Sequence, residues 1–144
     1  FTNATLRDAV ARFWEDKGTA GSIYEPMKCW DVSEVTDMEG LFSDAGLVGL
    51  ARTSQAAFNE PIEFWVVDKV TNMKDMFKYC TNFKQRLQGW DPRRVTSMNG
   101  MFFFASAFNQ DLGWCVDDNV NMGGAFGGTQ LVRVDVLWRL VGRL

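Results

Sequence analysis

An α/β repeat solenoid of about four coils, each ~25 residues long and closed at its start by a capping helix, is the fold class the sequence predicts. Three observations predict it. A segment recurs: Trp30-Asp-Val-Ser-Glu-Val-Thr-Asp-Met-Glu-Gly-Leu-Phe42 returns as Trp65-Val-Val-Asp-Lys-Val-Thr-Asn-Met-Lys-Asp-Met-Phe77 and as Trp90-Asp-Pro-Arg-Arg-Val-Thr-Ser-Met-Asn-Gly-Met-Phe102. A weaker fourth copy is Trp114-Cys-Val-Asp-Asp-Asn-Val-Asn-Met-Gly-Gly-Ala-Phe126. The apolar spacing is fixed, because in all four copies Met follows Trp by eight positions and Phe follows Met by four. Ahead of the first copy lies a stretch with an apolar stripe at helical spacing.

That stretch comes first in the chain. Thr5-Leu-Arg-Asp8 reads as an N-cap with an acidic residue in the first turn, and Leu6, Val10, Phe13 and Trp14 line one side of the helix that follows. It is expected to end near Lys17-Gly18, so that residues 1–29 make an N-terminal cap and linker. The copies occupy residues 30–128. Their tryptophans stand 35, 25 and 24 positions apart, which places an insertion over 43–57 as a loop or extra helical turn on one face. A second shared block precedes the later tryptophans: Phe58-Asn-Glu-Pro-Ile62, Phe83-Lys-Gln-Arg-Leu87 and Phe108-Asn-Gln-Asp-Leu112.

Within a coil, Ile62 to Trp65 and Leu87 to Trp90 read as a short strand, followed by a bend at Val-Thr-x-Met. Met73, Met76 and Phe77 sit at i, i+3, i+4 and so read as one face of a helical turn. The expected repeat core is Trp30, Met38, Phe42, Trp65, Met73, Phe77, Trp90, Met98, Phe102, Trp114, Met122 and Phe126. The fourth copy, with Asn119 where the others have Val and Ala125 where they have Met or Leu, reads as a terminal, atypical coil. After Gly127-Gly128 the pattern stops. Residues 129–144 support both strand and helix, and are expected to be a C-terminal cap, with docking to a partner or membrane surface through Trp138, Arg139 and Arg143 as the other reading.

A chain of 144 residues fits one domain with a core of its own, taken here as residues 1–144. Twelve Phe and six Trp are a surplus that columns of buried rings explain. The net charge of −3 argues against a nucleic-acid partner, which would need clustered Lys and Arg. No apolar run approaches the length of a membrane-spanning helix. No charged-then-apolar leader opens the chain, and its start at Phe1 fits a trimmed or partial chain. Cys29, Cys80 and Cys115 form no CxxC pair and the chain has no histidine, so no metal site and no cofactor are expected. In stacked coils the three thiols fall too far apart for a disulfide.

The copies Val-Thr-Asn-Met-Lys-Asp-Met-Phe and Phe-Asn-Gln-Asp-Leu-Gly-Trp resemble the BspA-like surface-protein repeat, a leucine-rich-repeat relative also found in mycoplasma lipoproteins of unknown function. The resemblance covers roughly residues 30–126. It implies a leucine-rich-repeat-like, right-handed solenoid, frequently on cell surfaces and involved in adhesion, with no shared catalytic residues. The insertion, Lys84 in place of the Asn59 and Asn109 of the sister blocks, and the tail depart from the pattern and leave the partner open.

Few residues invite chemistry. Asn3-Ala4-Thr5 satisfies the N-glycosylation sequon, although Thr5 is equally explained as a helix cap. Residues 123–128 lack the Lys and Ser/Thr of a phosphate loop. Asp117 and Asp118, with Asn119 and Asn121, match no calcium loop. The functional expectation is a non-enzymatic protein-interaction or adhesion module, at a cell surface or secreted. The alternative is a small structural or linker subunit of a larger, organellar or membrane-associated complex. The partner is expected to be protein, with neither nucleic acid nor a small-molecule substrate, and with only peripheral contact to a membrane.

Overall fold

The computed structural model describes residues 1–16, 25–43 and 56–131. Among the described residues an α-helix, α1, spans Asn3–Asp16. The cap is Thr2, not the Thr5 expected from the sequence. The Thr5 N–H donates to Thr2 Oγ1 at 3.3 Å, and the Thr2 N–H donates to Thr5 Oγ1 at 2.8 Å. Two threonines three positions apart thus satisfy each other's backbone, in the manner of a capping box. The first helical bond, from the Leu6 N–H to the Thr2 carbonyl, is 3.0 Å long. Leu6, Ala9, Val10 and Trp14 are buried and fix the face that α1 turns to the rest of the molecule. Phe13 packs edge-on against Trp30, and Trp14 against Phe58.

The four sequence copies then lie one over another. Backbone donors of one copy reach carbonyls of the next at every second residue. Met38, Gly40 and Phe42 donate to Asn72, Lys74 and Met76; Met73, Asp75, Phe77 and Tyr79 donate to Ser97, Asn99, Met101 and Phe103. Met98, Gly100, Phe102 and Phe104 donate in turn to Asn121, Gly123, Ala125 and Gly127, at 2.7 to 2.9 Å. Each copy also folds on itself through i to i+3 turns, such as Val32 to Val35 and Met38 to Leu41.

Rings fill the interior. Phe77 stacks on Phe42 at 5.5 Å and on Phe102 at 5.3 Å, and Phe102 on Phe126 at 5.5 Å. Phe58, Phe83 and Phe108 interleave with this column at 3.9 to 4.2 Å from Phe42, Phe77 and Phe102. Trp30 lies over Trp65 and Trp90 over Trp114, each pair near 6 Å and close to parallel. Every stacked pair contributes about 0.5–1.5 kcal/mol beyond the area it hides.

These contacts do not make the α/β, leucine-rich-repeat-like right-handed solenoid that the sequence predicts. Among the described residues, regular structure is confined to α1, a single 3-10 turn at Met27–Cys29, and isolated parallel bridges joining Asp37, Asn72, Ser97 and Asn121. No strand forms, because the backbone turns every few residues. It also enters the left-handed region at Gly40, Asp75, Gly100 and Gly124, and again at Tyr79, Phe104 and Gly128. An extended run cannot survive such interruptions. The helical turn expected at Met73, Met76 and Phe77 is likewise absent. An i to i+3 turn, with the Met76 N–H on the Met73 carbonyl, brings the same three side chains inward without continuing as helix. The insertion read at 43–57 and the tail at 129–144 lie largely outside the described residues.

Candidate interaction surface

The residues named as the repeat core point inward. Trp30, Met38, Phe42, Trp65, Met73, Phe77, Trp90, Met98, Phe102 and Trp114 are buried, while Met122 and Phe126, in the fourth copy, are only half-buried. The indoles need a polar partner once buried. Trp65 Nε1 donates to the Met27 carbonyl at 2.8 Å, Trp90 to Ile62 at 3.1 Å and Trp114 to Leu87 at 2.9 Å. The acceptor stands three positions before the preceding tryptophan each time, so one bond repeats down the stack. These side chains hold the molecule together and are not available to a partner.

Asn3 has a task of its own. Its Oδ1 accepts the N–H of Thr36 at 2.9 Å and of Asp37 at 3.2 Å, and its Nδ2 donates to Thr36 Oγ1 at 3.0 Å. A glycan would have to share that same nitrogen. Arg7 pairs with Asp37 beside it. Trp138, Arg139 and Arg143 lie outside the described residues.

Sequence reasoning missed the side chains that do face solvent. Tyr79 and Phe104 are 44% and 49% exposed, and their rings stack at 5.8 Å. Phe103 meets both edge-on, and Lys78 Nζ lies 5.8 Å from the Tyr79 ring and 5.9 Å from that of Phe103. Tyr79 and Phe104 have φ of 63° and 56°, in the left-handed region. A bulky residue there costs about 1–3 kcal/mol. The fourth copy places Gly128 at the equivalent position, also at positive φ. The signal was present in the sequence: two residues beyond the buried Phe, two of the four copies carry an aromatic residue. Phe64 and Val66, flanking Trp65, are further exposed apolar side chains.

Several charged groups on the surface are paired with one another. An open depression of about 460 Å³ is lined by Asp68, Lys69, Asp91, Arg93 and Arg94. In it the hydrogen-bonded Arg93 guanidinium holds the Asp91 carboxyl below the usual carboxylate range, and Lys69 pairs with Glu34. Hydrogen bonds from Lys74 and then Asn72 likewise hold Glu39 low. Asp117 accepts from Asn119 within its own turn. Cys80 is fully buried, donates to the Phe42 carbonyl, and has its thiol pushed far up by burial. Among the described residues no group of three or more Cys, Asp or Glu could hold a metal ion, and no helix is long and apolar enough to cross a membrane.

Residues 13–137 match the model of a family described as "Mycoplasma protein of unknown function, DUF285". Neither a curated protein nor a solved structure matches the chain.

Proposed function

The chain belongs to this mycoplasma-type family of unknown function, and from that premise we propose that it is a non-enzymatic protein-interaction module. It meets its partner through the aromatic strip of Tyr79, Phe103 and Phe104. The carrying observation is that Tyr79 and Phe104 hold large exposed rings on left-handed backbone, where glycine would relieve the strain. Backbone strain kept at exposed side chains supports a use beyond the fold. A few anchor residues, with tyrosine among the favoured types, carry most of the energy of a typical protein interface. The likeness of the copies to the BspA-like surface-protein repeat supports an adhesive role at a cell surface. The pairing of Asp91 with Arg93, and of Glu39 with Lys74, supports a role without general acid or base chemistry.

The test is the double variant Tyr79→Asn, Phe104→Asn, because asparagine tolerates the left-handed region. Stability is expected to stay within about 1 kcal/mol of the parent. Partners captured from the native source by the parent protein should be lost by at least about tenfold, about 1.4 kcal/mol of binding. A variant that folds and retains every partner would overturn this reading.

A further inference from the structure

The third copy carries a reactive pair that its sisters lack. Asn99 is the one asparagine of the chain followed by glycine, and the equivalent pairs are Glu39-Gly40, Lys74-Asp75 and Gly123-Gly124. An asparagine carboxamide is open to attack by the backbone nitrogen of the next residue, and a glycine there has no Cβ to obstruct the approach. In a flexible chain, Asn-Gly therefore loses its amide more readily than other asparagine sequences.

The fold restrains this pair from both sides. The peptide unit joining Asn99 to Gly100 is planar, with its C=O and N–H pointing opposite ways. The Asn99 carbonyl accepts the Asp75 N–H of the second copy at 2.8 Å, and the Gly100 N–H donates to the Gly123 carbonyl of the fourth at 2.9 Å. The Asn99 side chain is half-buried and lies against Gly123, where an added Cβ would come within 2.7 Å of Nδ2. Attack on Asn99 Cγ requires the Gly100 nitrogen to lose its proton and turn toward the side chain. While its N–H is bonded to Gly123 it is held from doing either. Opening of the fourth copy alone breaks that bond and uncovers the side chain.

We propose that Asn99-Gly100 is a latent self-modification site, closed by the fourth copy and made reactive when that copy opens. The Gly100 nitrogen bonds to Asn99 Cγ and gives up its proton, the Cγ–Nδ2 bond breaks, and the amide leaves as ammonia. A five-membered cyclic imide results, and water then opens it at either carbonyl. Attack at Cγ leaves ordinary aspartate. Attack at the backbone carbonyl leaves isoaspartate, whose main chain passes through Cβ and Cγ and is one carbon longer. That carbon moves Gly100, Phe102 and Phe104 out of register with Gly123, Ala125 and Gly127, to which they donate. The fourth copy then cannot return to the same ladder, and a transient opening becomes permanent. The site is independent of the Tyr79–Phe104 strip and of any partner held there.

The full chain is incubated at neutral pH, folded and in guanidinium chloride, and isoaspartate at position 99 is read by peptide mass spectrometry with enzymatic methyl labelling. Conversion is expected to be at least about tenfold slower in the folded chain, since only the opened fraction reacts. Phe126→Ala should convert several-fold faster than the parent; guanidinium chloride below the unfolding transition, applied to the parent, makes the same comparison without a variant. The purified isoaspartate product should label at Cys115 several-fold faster than freshly prepared Asn99→Asp, which carries the same charge on an ordinary backbone, with Cys80 labelling equal in the two. Three results overturn the proposal: equal conversion of the folded and unfolded chains, conversion unchanged under conditions that speed Cys115 labelling, or an isoaspartate product that labels at Cys115 no faster than Asn99→Asp.

Discussion

Gly100 shows how tightly neighbouring copies constrain a single position. Its φ is 62°, and a Cβ there would run into Asp75 Oδ1 of the copy above. Asp75 sits in the same left-handed site of its own copy, at φ 54°, within 3.4 Å of Lys78 Nζ. Gly100→Ala is therefore expected to cost about 1–2 kcal/mol from backbone conformation, plus the displacement of Asp75. In an Asp75→Gly background the displacement vanishes and only the conformational part remains. Urea denaturation of the four-member cycle measures the difference, expected at about 0.5–2 kcal/mol of coupling. Strict additivity would mean that the two copies do not press on one another here. Glu39 and Lys74 carry a pH-sensitive contact of the same inter-copy kind, at 2.8 Å. Because the Glu39 pKa is lowered in the folded state, its contribution is present above the ordinary value of 4.5 and is lost as the pH falls below it. Both side chains are well exposed, so the effect is small.

At the scale of the element, α1 acts as a substitute for a missing copy. Thr71 and Thr96 donate their N–H groups to Thr36 and Thr71 of the copy above, at 2.8 Å each, and Thr36 has only Asn3 to donate to. Asn3→Ala should therefore destabilise the protein by about 1 kcal/mol, in the range for a lost capping bond. Asn3→Asp keeps the acceptor and should recover most of that loss. Denaturation midpoints of the two variants decide it, and equal losses would show that the acceptor is not what matters. The helix itself was legible in the sequence because Leu6, Val10 and Trp14 keep one helical face over several turns. Its cap was misplaced because Thr2 and Thr5 both suit the role, and only their reciprocal bonds decide between them. The copies were legible because Trp, Met and Phe recur in register. Their local conformation was not, since the Met73, Met76 and Phe77 spacing is met equally by a helical turn and by an i to i+3 turn. The exposed strip at Tyr79 and Phe104 went unseen because aromatic residues ordinarily read as core, although Gly128 at the equivalent position of the fourth copy hints at left-handed backbone there.

The whole molecule is held by contacts between neighbouring copies, so its stability need not be uniform along the stack. The fourth copy is the weaker end. Val120 and Met122 are only half-buried, whereas Val35, Val70, Val95, Met38, Met73 and Met98 are buried. Its turn has slipped by one residue, because the bond from Val120 to Asp117 takes the place of those from Val35 to Val32 and from Val95 to Pro92. The three cysteines report on this gradient: Cys29 is exposed, Cys115 half-buried and Cys80 fully buried. Reaction with a thiol reagent requires the thiolate, and burial raises the Cys80 thiol far above its ordinary value of 9.0, so Cys80 can react only from an opened state. In single-cysteine variants, Cys29 should label at once, Cys115 through opening of the last copy, and Cys80 at the rate set by opening of the middle of the stack. Below the ordinary thiol value, Cys80 labelling should rise about tenfold per pH unit, because the opened thiol titrates normally. Phe126→Ala removes the fourth copy's ring from the phenylalanine column, and should speed Cys115 labelling several-fold while leaving Cys80 unchanged. If both cysteines accelerate together, the copies open as one cooperative unit and the gradient inferred from burial is wrong.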